Sequence, residues 1–230
     1  LGADTVKLYG YDSLVGPKNR HVVYTFDADN ILAEFAPENA SENTPYLMFV
    51  AHYDSRYSQP MPKQDTVWSY GAADDGYGLG VILESVSLAL KNRQDWKQGV
   101  KVLFTDAEEV GMMGMKAAWD NDKQIFDNVG LVLNVEARGP KGPALLFEAC
   151  PGNDKVQDLY ASCAKYPYTY SLTTVVYGFM PTYTDFSIIK DSVPGLNFSN
   201  IADINHYHTD KDNFSNINEK SIQHYGAQMF

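Results

Sequence analysis

Acidic and imidazole side chains recur in this sequence where apolar runs stop. His52 and Asp54 follow "YLMFVAH" (46–52), Asp106, Glu108 and Glu109 close or follow "VKVLFTDA" (100–107), and Glu136 sits near the end of "VGLVLNVEA" (129–137). The adjacent pair Asp74 and Asp75 lies in "YGAADDGYG" (70–78), and His206 and His208 lie in "INHYHTDKDNF" (204–214). Two histidines and three or four carboxylates are hard and borderline donors suited to zinc, with a carboxylate free to bridge two ions.

Each element also has a plainer reading. A histidine at the end of an apolar strand is more often a hydrogen-bonded edge residue than a ligand, but Asp54 is the kind of partner that holds the second nitrogen of a metal-bound imidazole. Asp74 and Asp75 are equally readable as N-cap residues of the next helix, at the positive end of its dipole. Glu108 and Glu109 read as first-turn acids of a helix over 108–121. Neighbours on a helix point about 100° apart, so one can meet a metal while the other faces a substrate. Surface histidines would account for the loop around His206 and His208. Glu136 resists a plain reading, because a buried carboxylate needs a partner and Arg138 is expected on the opposite face of the strand.

The elements that must position these groups alternate. "HVVYTFDA" (21–28) and "ILAEF" (31–35) read as strands joined by a hairpin turn at "DADN" (27–30). The three apolar runs read as buried central strands, and "LGVILESVSLALKNR" (79–93) and "EEVGMMGMKAAWDN" (108–121) as helices between them. "DKVQDLYASCAKY" (154–166) and "NEKSIQHYGAQMF" (218–230) are later helix candidates. This alternation implies an α/β domain of three αβα layers around a mixed, mostly parallel sheet. Ligands of such sheets bind beyond the carboxyl ends of the strands, which is where the acids and His52 would converge.

With 230 residues, 44% apolar and 13% aromatic, the chain can bury one core, and we read 1–230 as one domain. A net charge of −11 and the lack of a basic stripe argue against a nucleic-acid surface. Cys150 and Cys163 are expected as two buried thiols in preference to one bridge. No apolar run is long enough to insert this segment into a membrane. The chain opens at Leu1 without a methionine or signal-like segment, as an excised or processed piece would.

"HYD", "GAADDGYG", "DAEEVG", "NVEARG" and "YHTDKD", in this order, resemble the co-catalytic two-zinc aminopeptidases, the family of bacterial leucyl aminopeptidases and aminopeptidase Y. "NVEARGPKGPALLFE" and "TDFSIIKDSVPGLNF" resemble most the branch of endoplasmic-reticulum and vacuolar membrane metallopeptidases and their bacterial relatives. The resemblance implies a zinc-exopeptidase fold, a peptide substrate and two zinc ions. Asp74 would bridge them, with His52 and Glu136 completing one site and Glu109 and His208 the other. It further implies that Glu108 is the general base, that Tyr207 donates its hydroxyl to the oxyanion and that Asp54 orients His52. Many family members have aspartate where this chain has Glu136. Resemblance to that branch also implies work outside the cytoplasm, by a secreted or membrane-tethered protein.

The methionine-rich "GMMGMKAAW" (111–119) reads either as a pocket wall or, more often, as core. Tyr177, Phe179, Tyr183 and Asp185 are expected to shape the pocket, and the Met- and Tyr-rich neighbourhood favours an apolar first side chain. Arg138 binds substrate or pairs with an acid. Two other readings share the fold: a single-zinc glutaminyl cyclase, which shares "HYDS" and paired glutamates, and a receptor-like binding domain. The full ligand set favours the peptidase.

Overall fold

The computed structural model describes residues 1–16, 25–58 and 67–230. Its main sheet has seven strands: β1 (Thr5–Val15), β2 (Thr25–Phe35), β3 (Tyr46–His52), β6 (Gly99–Thr105), β7 (Val129–Ala137), β8 (Leu145–Ala149) and β9 (Gly195–Asn200). Their spatial order is β1-β2-β6-β3-β7-β9-β8. The central four, β6, β3, β7 and β9, run parallel, while β1, β2 and β8 pair antiparallel at the two sides. Two short strands, β4 (Tyr57–Ser58) and β5 (Val67–Trp68), pair with each other.

The helices are α1 (Gly76–Ala89), α2 (Met113–Asn121), α3 (Asp154–Cys163), α4 (Ser171–Gly178), α5 (Phe186–Ile189) and α6 (Glu219–Met229). Side chains alternate across a strand, so each central strand feeds two cores. From β3, Phe49 and Ala51 enter the layer built on Tyr77, Ile82 and Val86 of α1, Tyr160 of α3 and Tyr225 of α6. Met48 and Val50 enter the opposite layer with Met115 and Ala118 of α2 and Phe186 and Ile189 of α5. Ile82 and Met115 are fully buried; cutting such residues to Ala typically costs about 2–5 kcal/mol. This is the three-layer fold that the alternation of elements implies.

The opening of the chain departs from expectation. Residues 25–35 form one strand without a turn at 27–30, and its partner is β1, whose exposed Val6 and Leu8 obscure any alternation. The turn-forming residues are used sideways instead. Buried Asn30 donates Nδ2 to the Gly114 carbonyl (2.8 Å) and accepts from the Asp106 amide (3.0 Å), while the Asp29 amide donates to Asp106 Oδ2 (3.1 Å). Residues 21–24 of the expected strand lie outside the described residues. Both cysteines are free, but only Cys150 is buried; Cys163, at the end of α3, is exposed.

Candidate metal centre

Parallel pairing sets the first half of the centre. Val50 faces Asn134 in the β3–β7 register, which brings the strand ends at His52 and Glu136 side by side. His52 Nδ1 lies 2.9 Å from the Asp54 carbonyl oxygen and 3.4 Å from its carboxylate. With Nδ1–H donated to that carbonyl, Nε2 is the free ligand atom; it stands 3.1 Å from Asp74 Oδ1 and 3.8 Å from Glu136 Oε2. The main-chain oxygen of Asp54 therefore makes the shorter contact to His52.

The paired acids of "YGAADDGYG" divide the two readings between them. Asp75 is the N-cap of α1 and accepts from the Gly78 amide at 3.0 Å. A Cβ on Gly78 would lie 2.3 Å from the Asp75 carboxylate, so only glycine admits the cap there. Asp74, joined to Asp75 by a cis peptide bond, turns its carboxylate to the centre instead. Asp212 fixes this segment, accepting from the amides of Ala73 (2.7 Å) and Asp74 (3.1 Å).

The second half is built on loops. Glu108 and Glu109 are not in a helix; α2 begins only at Met113. Asp54 takes their amides, Glu108 on Oδ1 and Glu109 on Oδ2, both at 3.1 Å. Left-handed backbone at Ala107 (φ 57°), Gly111 (φ 105°) and Met112 (φ 57°) shapes the loop. Those amides are the donors a first helical turn would leave free, so a side chain from the neighbouring strand end has displaced helix propensity. His208, also left-handed (φ 57°), brings Nε2 to 3.1 Å from Asp74 Oδ2 and 3.0 Å from Glu109 Oε1.

Two groups of possible ligands result, His52–Asp74–Glu136 and Asp74–Glu109–His208, with the donor atoms of each within 4.8 Å of one another. Asp74 presents one oxygen to each. Asp74 Oδ2, Glu109 Oε1 and His208 Nε2 are buried, and despite their proximity none has a hydrogen bond. A buried polar atom left unpaired costs about 1–3 kcal/mol, and three converging on one point fit a cation. The donor set of two imidazoles and three carboxylates fits zinc.

The electrostatics carry the same sign. Burial opposes charge on His52, but Asp54, Asp74 and Glu136 hold its imidazolium well above the ordinary 6.5. Burial likewise opposes His208, and Asp74 and Glu109 raise it. Burial works against ionisation of Asp74, yet the His208 and His52 rings keep its pKa low. Burial, reinforced by neighbouring carboxylates, pushes Glu108, Glu109 and Glu136 upward. Uncompensated negative charge is thus concentrated where a dication would relieve it.

A cavity of about 240 Å³ opens beside the centre, lined by Glu108, Glu136, Tyr207, Arg138 and the late segment carrying Tyr177 and Tyr183. Tyr207 stacks on His208, with ring centroids 3.5 Å apart. Arg138 shares the cavity with Glu136, contrary to expectation, since residues two apart on a strand face the same way. Phe179 projects into solvent and does not line the cavity, nor does Asp185, which is buried as the N-cap residue of α5 and accepts from Thr105 Oγ1. The methionines of α2 line no part of it, and Met115 is core. Asp106 is taken up by backbone contacts, and His206 joins neither ligand group. Asp75 as the cap and Asp212 as the brace were not distinguished by sequence, although "YHTDKD" contains Asp212.

The profile of Peptidase family M28 matches residues 30–230. The chain belongs to this family. Among relatives, a vacuolar membrane protease of Candida dubliniensis is 30% identical over 208 residues, covering 89% of this chain and 20% of its own. Endoplasmic reticulum metallopeptidase 1 of Mus musculus is 27% identical over 210 residues, covering 90% of this chain and 22% of its own. The chain thus spans about a fifth of the length of these curated relatives. Two solved structures share the fold. A Zn-dependent exopeptidase of Parabacteroides distasonis has a TM-score of 0.68 and 21% identity, covering 99% of this chain and 82% of that one. Porphyromonas gingivalis glutaminyl cyclase has 0.69 and 19%, covering 97% and 81%. Membership of M28 places the chain among the peptidases of that family.

Proposed function

We propose that residues 1–230 form one catalytic domain of a two-zinc aminopeptidase. The observation that carries this is Asp74, whose two oxygens each face a different histidine within a different ligand group. His52 and Glu136 would complete one zinc site, Glu109 and His208 the other. A bound zinc pair supplies a water of lowered pKa and a polarised scissile carbonyl. Glu108, on the cavity wall, takes the proton of the attacking water and returns it to the leaving amine. Tyr207 donates to the developing oxyanion; burial, then Asp74 and Glu109, push its phenol upward, so it keeps its proton. Asp54 holds the Glu108–Glu109 loop through two amides and fixes the His52 tautomer. Carboxylates around the scissile position favour an amino terminus over a carboxyl terminus there.

The test is zinc content with a panel of aminoacyl anilides and N-blocked peptides. Wild type should hold two ions and cleave the anilides, and Asp74→Ala, which removes the shared ligand, should hold none. Two ions in Asp74→Ala would reject the centre; cleavage of only the blocked peptides would reject an aminopeptidase. A glutaminyl cyclase, favoured by the shared fold, would instead hold one zinc and cyclise N-terminal glutamine, and a binding module would hold none.

The relatives named for vacuolar membrane and endoplasmic reticulum support a domain working outside the cytoplasm, tethered by other parts of a longer protein. No helix of the described residues is long and apolar enough to cross a membrane. In sealed vesicles, an epitope on this domain of the full-length protein should resist external protease until detergent is added; digestion without detergent would overturn the placement.

A further inference from the structure

Several buried polar atoms without a hydrogen bond, other than the ligand atoms, belong to residues that line the same cavity. They are Arg138 Nε, Thr173 Oγ1, Thr182 Oγ1 and the Tyr177 hydroxyl, which lies near Ser187 without hydrogen-bond geometry. Arg138 forms no ion pair among the described residues. Its guanidinium stands 5.5 Å from the Tyr207 ring centroid, a cation–π contact that holds it in place while leaving its donors free. A fixed cation beside three unsatisfied hydroxyls is a costly wall for an apolar ligand, because a site's buried donors stay unpaired when such a ligand fills it.

We propose that this wall binds a carboxylate of the peptide substrate. The inference rests on the aminopeptidase reading and replaces the apolar first side chain expected from sequence. Guanidinium matches carboxylate in a two-pronged geometry that lysine cannot reproduce. The hydroxyls complete the acceptor's lone pairs, and Phe147, Val176 and Met180 on the same cavity cover the methylenes that lead to it. Two sources supply this chemistry: the side chain of a first-position glutamate or aspartate, or the terminal carboxylate of a dipeptide. Glu108 and Glu136 line the same cavity, so it offers negative charge to an amino group and, at Arg138, positive charge to a carboxylate.

The experiment compares kcat/KM of the zinc-loaded chain for glutamyl, aspartyl and leucyl anilides, and for leucyl-glycine against its amide. We expect a preference for the acidic anilides or for the free dipeptide; the first identifies the side chain as the source, the second the terminus. Arg138→Gln should lower that preference about 10- to 100-fold, with Arg138→Lys intermediate and zinc content as in wild type. Thr182→Val, which keeps the charge and guards against a poorly folding arginine variant, should lower it about 3- to 10-fold. Calorimetric binding of L-glutamate relative to L-leucine, independent of turnover, should show the same dependence on Arg138. A wild type that favours the leucyl anilide, treats dipeptide and amide alike and binds leucine at least as well as glutamate would overturn the proposal while leaving the aminopeptidase reading intact. If no substrate with a free amino terminus is cleaved, that reading fails, and the glutamate-to-leucine binding ratio in wild type and Arg138→Gln alone decides the wall.

Discussion

His52 and Glu136 stand at the ends of adjacent parallel strands, whereas Glu109 and His208 ride on loops. The strand-borne pair is positioned by sheet register, which is set by hydrogen bonds and by two buried cores. The loop-borne pair depends on two braces: the Asp54 carboxylate under the Glu108–Glu109 amides and the left-handed backbone at Ala107 and His208. Non-glycine residues in that conformation cost on the order of 1 kcal/mol or more and persist where the surroundings over-determine them. One half of the centre is therefore inherited from the fold, and the other is held by a few specific contacts.

The largest expected effect separates the neighbours on the loop. Glu108→Gln should keep both ions yet lose roughly 100- to 10,000-fold in kcat, because an amide of similar shape accepts no proton. Glu109→Gln should weaken zinc in the loop half alone. Metal analysis and turnover on both variants decide the matter; zinc lost by Glu108→Gln and kept by Glu109→Gln would reverse their roles. A smaller effect tests the braces. Asp54→Ala removes the carboxylate but keeps the carbonyl nearest His52, so zinc affinity should fall by about 10- to 100-fold at the loop half. Titration with limiting zinc should then pass through a one-ion state, and equal loss of both ions would show that the halves are not separable.

The smallest effect is on stability. In the metal-free chain His52, His208, Glu108, Glu109 and Glu136 all have raised pKa values, and burial puts Asp185 at about 7. A raised pKa, on acid or base, means that the folded state binds more protons than the unfolded, so stability falls as pH rises through that range. For the glutamates the decline begins near the ordinary 4.5, and for the histidines near 6.5. The Tm of the chelator-treated chain should therefore fall between about pH 5 and 8, by about 2–4 °C for each kcal/mol lost. Zinc displaces the protons of its ligands His52, His208, Glu109 and Glu136, and its affinity rises with pH as they deprotonate, so the loaded chain should show a smaller fall. Calorimetric scans across pH check this; a metal-free Tm that climbs over the same range would contradict the charge pattern.

The difference between the halves also governs what could be read from sequence. "YLMFVAH" and "VGLVLNVEA" announce buried strands through uninterrupted apolar runs, so the strand-end positions of His52 and Glu136 follow from residue pattern alone. "DAEEVGMM" has the composition of a helix start, and its loop is dictated by Asp54, more than fifty residues away in the chain. "DADN" has the composition of a turn and is held straight by Asp106 and Gly114. In both places long-range side-chain bonds defeat local propensity, and no periodicity records them. The cavity wall is harder still: α4 is only eight residues long and its apolar Leu172, Val175 and Val176, although at helical spacing, are exposed, so the side it turns to the cavity is not marked by an apolar stripe.

The brace from Asp212 to the Asp74 amide closes 138 residues of chain, and that span orders events during synthesis. Strands β3 and β7 can pair as soon as Ala137 has emerged, so His52 and Glu136 are in place, and Asp74 has been made, while His208 and Asp212 are still to come. A nascent chain is expected to capture its first ion early and weakly, without the brace that fixes Asp74. The second site forms only when nearly the whole domain is available. In the two-zinc reading, zinc would then act as a late clasp between residues far apart in the chain, and a chain cut short before His208 would present half a centre with no means of closing it.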